Sequence, residues 1–113
     1  MRIEVKGRGG TTIDDELLAR VEKKLDKIGR QVSPLAELEI ELTEERGTSD
    51  GDSYVAEAVL HLKGTALRTT KSASDPGRAV NMVAQDLARQ VKKHRDKRRG
   101  RRESQKAQEP HVA

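Results

Sequence analysis

The alternation of apolar and acidic residues within the segment LAELEIELTEE, residues 35–45, is the feature that most constrains how this chain can fold. Leu38, Ile40 and Leu42 alternate with glutamates, and successive side chains of a β-strand point to opposite faces. A helix could not bury this pattern on one side, because its period is 3.6 residues rather than two. The segment therefore predicts a strand in a sheet that is covered on one face and open to solvent on the other.

Three further segments predict the other strands of that sheet. They are RIEVKG (residues 2–7), YVAEAVLHLK (residues 54–63) and ALRTTKSAS (residues 66–74). The inner face of the second of these carries Ala56, Ala58, Leu60 and Leu62. The polar stretch RGTSDGDS (residues 46–53) predicts a hairpin loop, and Gly64 with Thr65 predicts the turn into a weaker last strand.

Between the first two strands, apolar residues recur at helical spacing. Leu17, Val21, Leu25 and Ile28 are four, four and three residues apart, which places them on one face of a helix of about four turns. Asp14 is a candidate N-cap, because a short acidic side chain can accept a hydrogen bond from the first turn. The helix should end near Arg30, since Pro34 cannot continue it.

A second helix is predicted after the last strand. It should begin at SDPG, where Ser74 or Asp75 can cap it and Pro76 suits the first helical position. Its apolar seam consists of Val80, Val83, Ala84, Leu87 and Val91.

The second helix is predicted to run beyond the core. Its seam leads on to three residues that cannot be buried, His94, Arg95 and Arg98. The helix should therefore project from the domain as far as Arg99 and end at Gly100. On this interpretation residues 1–99 form one βαβββα domain, and residues 100–113 form a basic, disordered tail.

The order strand, helix, strand, strand, strand, helix predicts an α+β fold. A strand-helix-strand unit gives a right-handed parallel crossover, and hairpins give antiparallel pairs. A mixed four-stranded sheet with two helices packed on one face follows, an arrangement like that of double-stranded RNA-binding domains. The opposite face of the sheet should meet solvent.

The composition excludes several classes of protein. Phe and Trp are absent and Tyr54 is the only aromatic residue, which removes the usual stacking platforms for splayed bases. The absence of cysteine excludes disulfides and thiolate zinc sites. No apolar run approaches the roughly 18 residues of a membrane span, and the N-terminus lacks the apolar region of a signal peptide. We therefore expect a cytoplasmic protein with no membrane contact.

Positive charge is concentrated near the end of the chain. Residues 89–106 contain ten Lys and Arg against two acids, a net +8, whereas the other residues, 13 basic and 17 acidic, sum to −4. At about 100° per residue, a second basic set falls on one flank of the first helix. The candidate RNA-binding residues from this wheel are Arg20, Lys23, Lys24, Lys27 and Arg30 in the first helix, and Arg89, Lys92 and Lys93 in the second.

Two basic stripes on neighbouring helices favour polyanion binding over a role in solubility alone. Because both helices cover the same face of the sheet, their basic flanks could form one surface. Phosphate contacts position a protein without reading sequence, so recognition of shape and backbone is the implied mode.

An enzyme is the competing class, and the sequence offers little for one. Glu37, Glu39, Glu41, Glu57 and His61 share the outer sheet face and could gather a metal. Carboxylates on an open, solvated sheet lack the cleft that acid-base catalysis needs. The three histidines have no ligand spacing, and the phosphate-loop pattern is absent. We expect no catalytic residue, metal, cofactor or small-molecule substrate.

Four collinear segments carry a resemblance to a known family. They are IEVKG, IDDELLARVEKKLDKI, AEAVLHLKG and RQVKKHRDK. With them, the chain resembles the ribosome hibernation promoting factor family, also called ribosome-associated inhibitor A, protein Y or sigma-54 modulation protein, over residues 2 to about 99.

The resemblance implies the same βαβββα fold and a function. Members bind 16S rRNA of the small ribosomal subunit in the channel for mRNA and tRNA, which silences idle ribosomes. The positions that match the family's basic helix positions are Lys24, Lys27, Arg89, Lys93, Arg95 and Lys97. The partner expected is therefore the small ribosomal subunit, and the isolated protein is expected to be a monomer.

The chain also departs from the family. Gly77 and Asn81 stand where members often have an aromatic residue and an aspartate, so any contact those residues make is in doubt here. Long members add a domain that dimerises ribosomes, and whether this chain pairs ribosomes or only occupies them stays open. A general double-stranded RNA-binding protein is the alternative, because its core order lies within the one predicted here.

Overall fold

Six elements make up the part of the chain that the computed structural model describes. It describes residues 1–9, 11–45 and 54–108, and residues 98–108 by their backbone alone. The elements are β1 (Arg2–Arg8), α1 (Asp15–Gly29), β2 (Glu37–Glu44), β3 (Tyr54–Leu62), β4 (Thr65–Ala73) and α2 (Pro76–Gln108). The predicted hairpin loop at residues 46–53 lies outside the described residues.

The four strands form one mixed sheet in the order β1, β2, β3, β4. β1 runs parallel to β2, with Ile3 beside Leu38, because α1 carries the chain back across the sheet between them. β2, β3 and β4 are antiparallel neighbours, with Leu42 beside Ala56. The predicted α+β class and strand arrangement are confirmed.

The core lies between the inner face of the sheet and the two helices. Leu38, Ile40 and Leu42 are at most 1% exposed, as the alternation predicted. The helices contribute the predicted seams, which are Val21, Leu25 and Ile28 from α1 and Val80, Val83, Ala84, Leu87 and Val91 from α2. Branched aliphatic chains and alanines fill this core, and Leu62 is only partly buried at its edge.

An aspartate caps the N-terminus of each helix. The backbone N–H of Leu17 donates to Oδ1 of Asp14 over 2.7 Å, so the predicted cap of α1 is confirmed. Asp75 accepts from the N–H of Arg78 over 2.9 Å and is therefore the cap of α2. Each carboxylate occupies the end of a helix where the dipole favours negative charge.

The predicted end of α2 at Gly100 is wrong, because the helix continues to Gln108. One glycine costs a helix only about 1 kcal/mol relative to alanine, and the residues on both sides are mostly strong helix formers. Residues 109–113, the rest of the predicted tail, lie outside the described residues. The division into a domain ending at residue 99 and a tail stays a prediction.

Among the described helices, none has an apolar stretch long enough to cross a membrane. The outer face of the sheet meets solvent, with Glu37, Glu39, Glu57 and His61 exposed and Glu41 half-buried.

Candidate nucleic-acid interface

A cationic cleft separates the C-terminal half of α1 from the middle of α2. Its volume is about 580 Å³, and it is lined by Lys27, Gln31, Ala88, Arg89, Lys92, Arg95 and Asp96. Four cationic side chains and one carboxylate thus line this space, and one of the four, Arg89, is paired with Asp86. This arrangement attracts anions, because a recess lined by one sign of charge concentrates the field inside it.

Helical geometry explains why these residues meet. Ala88, Lys92 and Arg95 are four and three residues apart on α2 and lie beside the buried seam of Leu87 and Val91. On α1, Lys27 directly precedes the buried Ile28. The small side chain of Ala88 leaves room between the helices, and the long cationic side chains form the walls.

The ten sequence-predicted RNA-binding residues do not all lie together. Lys27, Arg89, Lys92 and Arg95 line the cleft. Lys23, Lys24, Lys93 and Lys97 are exposed on the helices outside its lining. Arg30 lies 2.9 Å from the carboxylate of Asp26, so part of its charge is offset. A role in RNA binding stays a prediction for all of them.

Arg20 lies at the other end of the helix pair. Its guanidinium covers Gly77 in the first turn of α2, where an added Cβ would collide with Nη1 of Arg20. Gly77 and Arg89 are twelve residues apart, which is about 18 Å along a helix. The basic stripe predicted on α1 is therefore divided between two places. Because Gly77 has no side chain, it leaves the space that Arg20 occupies.

Asn81 lies one helical turn further along α2 than Gly77. Its Oδ1 atom is buried without a hydrogen-bond partner among the described residues.

Asp86 holds one wall of the cleft in place. Its side chain is 14% exposed. It accepts hydrogen bonds from Oγ1 of Thr69 over 2.6 Å, from Nε2 of Gln90 over 3.0 Å, and from the guanidinium of Arg89. Nε2 of Gln90 also donates to the carbonyl oxygen of Arg68 over 2.9 Å. The network ties α2 to β4 and holds the guanidinium of Arg89, so part of the charge of Arg89 is offset.

The same contacts keep Asp86 ionised. The hydrogen bond from Thr69, followed by that from Arg89, lowers the pKa of Asp86 to about 2 although its partial burial opposes this. Sequence analysis missed Asp86, Thr69 and Gln31. The pairing of Asp86 with Thr69 joins a helix to a strand 17 positions away, and no local pattern marks such a contact.

The outer face of the sheet, considered above as a possible metal site, carries ordinary ion pairs. Lys6 lies 3.4 Å from Glu4, Arg8 lies 3.3 Å from Glu41, and His61 lies 3.2 Å from Glu39. A recess of about 170 Å³ lies there beside Glu39 and Glu57. In the described part of the chain, no group of three or more His, Asp or Glu side chains is arranged to hold a metal ion.

Comparison with known proteins connects this geometry to a family. A family model described as sigma 54 modulation protein / S30EA ribosomal protein matches residues 3–99. No curated protein matches the chain.

Two solved structures are similar to the chain. The Protein Y N-terminal domain of Thermus thermophilus is 26% identical with a TM-score of 0.69, and the match covers 83% of this chain and 99% of that one. A ribosomal subunit interface protein from Coxiella burnetii is 20% identical with a TM-score of 0.67, covering 85% and 99%. The second likeness is one of fold.

Proposed function

Because the chain belongs to the sigma 54 modulation protein / S30EA ribosomal protein family, we propose that it silences translation by binding 16S rRNA of the small ribosomal subunit. The proposed place is the channel for mRNA and tRNA, where a bound protein would exclude both. The observation that supports this most is the cationic cleft, which presents Lys27, Arg89, Lys92 and Arg95 to one space.

The cleft suits an RNA backbone for physical reasons. Arginine can bind a phosphate through two parallel hydrogen bonds, and lysine adds compact point charges. The cations sit on two packed helices joined to one core, so the backbones that carry them need no rearrangement on binding. Recognition of this kind follows backbone shape and needs no aromatic platform.

The family description, which names a ribosomal protein, supports the ribosome as the partner. The Protein Y N-terminal domain, at 26% identity, has a similar fold. On this proposal the protein acts in the cytoplasm as a binding factor rather than an enzyme, because occupation of the channel is sufficient to stop translation.

Sucrose-gradient sedimentation of ribosomal subunits with the full chain tests the proposal. We expect the protein to travel with the small subunit at low salt and to be released as salt rises, because each phosphate contact frees condensed counterions. Added mRNA or tRNA should displace it. The function would be contradicted if the protein failed to sediment with the small subunit at low salt, or if neither mRNA nor tRNA displaced it.

A plain RNA duplex in the same experiment addresses the alternative. Equal affinity for the duplex and for the small subunit would favour a general double-stranded RNA-binding protein.

A further inference from the structure

An apolar pocket lies next to the cationic cleft. Its volume is about 490 Å³, and Val32, Leu35, Leu62 and Val91 supply its apolar lining. The turn between α1 and β2, the end of β3 and the exposed side of α2 meet there. The pocket and the cleft share Gln31 and Arg95, so a ligand in one extends naturally into the other.

The most exposed apolar side chain of this pocket is held in place by its backbone. Leu35 is 90% exposed, and it is the one large hydrophobic residue so exposed in the described part of the chain. Its N–H donates to Oγ of Ser33 over 3.1 Å, and the N–H of Ala36 donates to the carbonyl of Ser33 over 3.0 Å. The carbonyl of Ala36 in turn accepts from the N–H of Arg2 over 2.9 Å. The turn therefore presents Leu35 to solvent, which favours a ligand that covers it.

We propose that this pocket binds an unpaired nucleobase of the RNA strand whose phosphates lie in the cationic cleft. The inference rests on the proposed function and adds a base site to it. A nucleotide has an anionic backbone on one side and a flat, largely apolar base with a polar edge on the other. The adjoining cleft and pocket offer the matching pair of surfaces.

The shared residues suit this ligand. The guanidinium of Arg95 can stack on a base while it remains close to the backbone, as arginines do with splayed bases in RNA. Leu35 and Val32 supply an aliphatic platform for the other face of the base. Gln31 and His94 line the pocket, and their side chains can bond to the edge of a base.

The charge of the rim favours an anionic chain. Two cations, Lys63 and Arg95, line the pocket together with one carboxylate, Glu37. An acidic peptide with an apolar side chain would meet the same rim. The nucleobase is favoured because the cleft that shares Arg95 already suits a run of phosphates.

Two footprints on the small subunit, compared between variants, test the inference. Hydroxyl radicals report the RNA backbone that the protein covers, and base-specific reagents report an unpaired base that is shielded. We expect the wild-type protein to give both. Leu35→Ala should keep the backbone footprint and lose protection of one unpaired base. Its affinity should fall roughly tenfold, through loss of the apolar cover.

Three variants serve as controls. Leu35→Met keeps an apolar side chain and should restore base protection. Val59→Ala removes apolar surface from the outer sheet face and should change neither footprint. Lys27→Gln with Lys92→Gln should weaken both footprints together. Folding of Leu35→Ala is checked by thermal unfolding, and no change is expected because Leu35 is 90% exposed.

The outcomes separate the two proposals. A backbone footprint with unchanged base protection in Leu35→Ala would overturn the base site and leave the proposed function intact. A photocrosslinker at position 35 that captures a ribosomal protein, and no RNA, would also overturn the base site. Absence of both footprints with the wild-type protein would overturn both proposals.

Discussion

The helix layer and the outer face of the sheet are both rich in charge, but they arrange it differently. In the cleft, Lys27, Lys92 and Arg95 share one space with a single carboxylate, Asp96. On the outer face, cations alternate with carboxylates, and Lys6 and Arg8 each lie within 3.4 Å of a glutamate. Charge that is already paired attracts a polyanion weakly, whereas segregated charge retains its field. Placement, more than number, distinguishes the two surfaces.

The largest expected effect comes from removing charge from the cleft. Lys27→Gln/Lys92→Gln/Arg95→Gln should reduce the slope of log affinity against log salt by about 2, at roughly 0.7 per lost phosphate contact with single-stranded RNA. Affinity for the small subunit at low salt should fall on the order of a hundredfold or more. Sedimentation or fluorescence anisotropy across a salt series measures both.

The matched control is Arg2→Gln/Lys6→Gln/Arg68→Gln, which removes the same charge from the outer face. It should leave the salt slope unchanged. Equal losses in the two triple variants would show that total charge, and not its segregation, governs binding.

The second effect is a loss of stability when Asp86, beside the cleft, is replaced. Asp86→Asn should lower the free energy of unfolding by about 2 kcal/mol at pH 7, because the pKa of Asp86 is lowered from 3.8 to about 2 in the folded protein. A lowered pKa contributes stability above the unfolded value. That contribution is lost as pH falls through the folded value.

Urea denaturation at several pH values checks this prediction. The difference between wild type and Asp86→Asn should be full above about pH 4 and should shrink toward pH 2. Asp96→Asn, an exposed residue of the cleft, is the control and should change stability little. A difference that stays constant down to pH 2 would mean that packing, not ionisation, sets the role of Asp86.

A third, smaller effect is a difference in affinity between variants at the two ends of the helix pair. Arg20→Gln should change affinity for the small subunit less than twofold, because its guanidinium covers Gly77 outside the cleft. Lys27→Gln removes one charge from the same helix. It should lower the affinity for the small subunit about fivefold or more, through one lost phosphate contact. Side-by-side binding at one salt concentration decides between them. Equal losses would extend the binding surface along the whole of α1.

The smallest effect is expected on the outer face. Glu41→Gln removes the partner of Arg8, whose side chain is 73% exposed. Pairs this exposed contribute roughly 0.2 to 1 kcal/mol, so the free energy of unfolding should fall by less than about 1 kcal/mol. Chemical denaturation measures it. A fall in the free energy of unfolding above about 1 kcal/mol would show that the ion pairs of the outer face stabilise the fold.

Local periodicity predicted most of the fold. The alternation at Leu38, Ile40 and Leu42 and the seam from Val80 to Val91 correspond to buried residues because burial on one face imposes those periods. Ends of elements were less predictable. LAELEIELTEE suggests a strand from Leu35, yet β2 begins at Glu37, since hydrogen bonds to Ser33 hold the preceding residues in a turn.

The candidate site was predictable only in part. The helical wheel and the family resemblance together proposed Lys27, Arg89, Lys92 and Arg95, which line one cleft. They could not show that Arg20 would be diverted to Gly77 or that Asp86 would be bound by Thr69. Those outcomes depend on how distant segments approach, and a single sequence does not encode them in any local pattern.

The origin of the cleft in two distant elements has a consequence for synthesis. Lys27 belongs to α1, near the start of the chain, whereas Lys92 and Arg95 belong to α2, the last of the described elements. A nascent chain therefore carries only half of the cleft until α2 has left the exit tunnel and packed on the sheet. On the proposed function, a competent inhibitor therefore exists only once α2 has packed, which favours action on ribosomes other than the one that makes the chain.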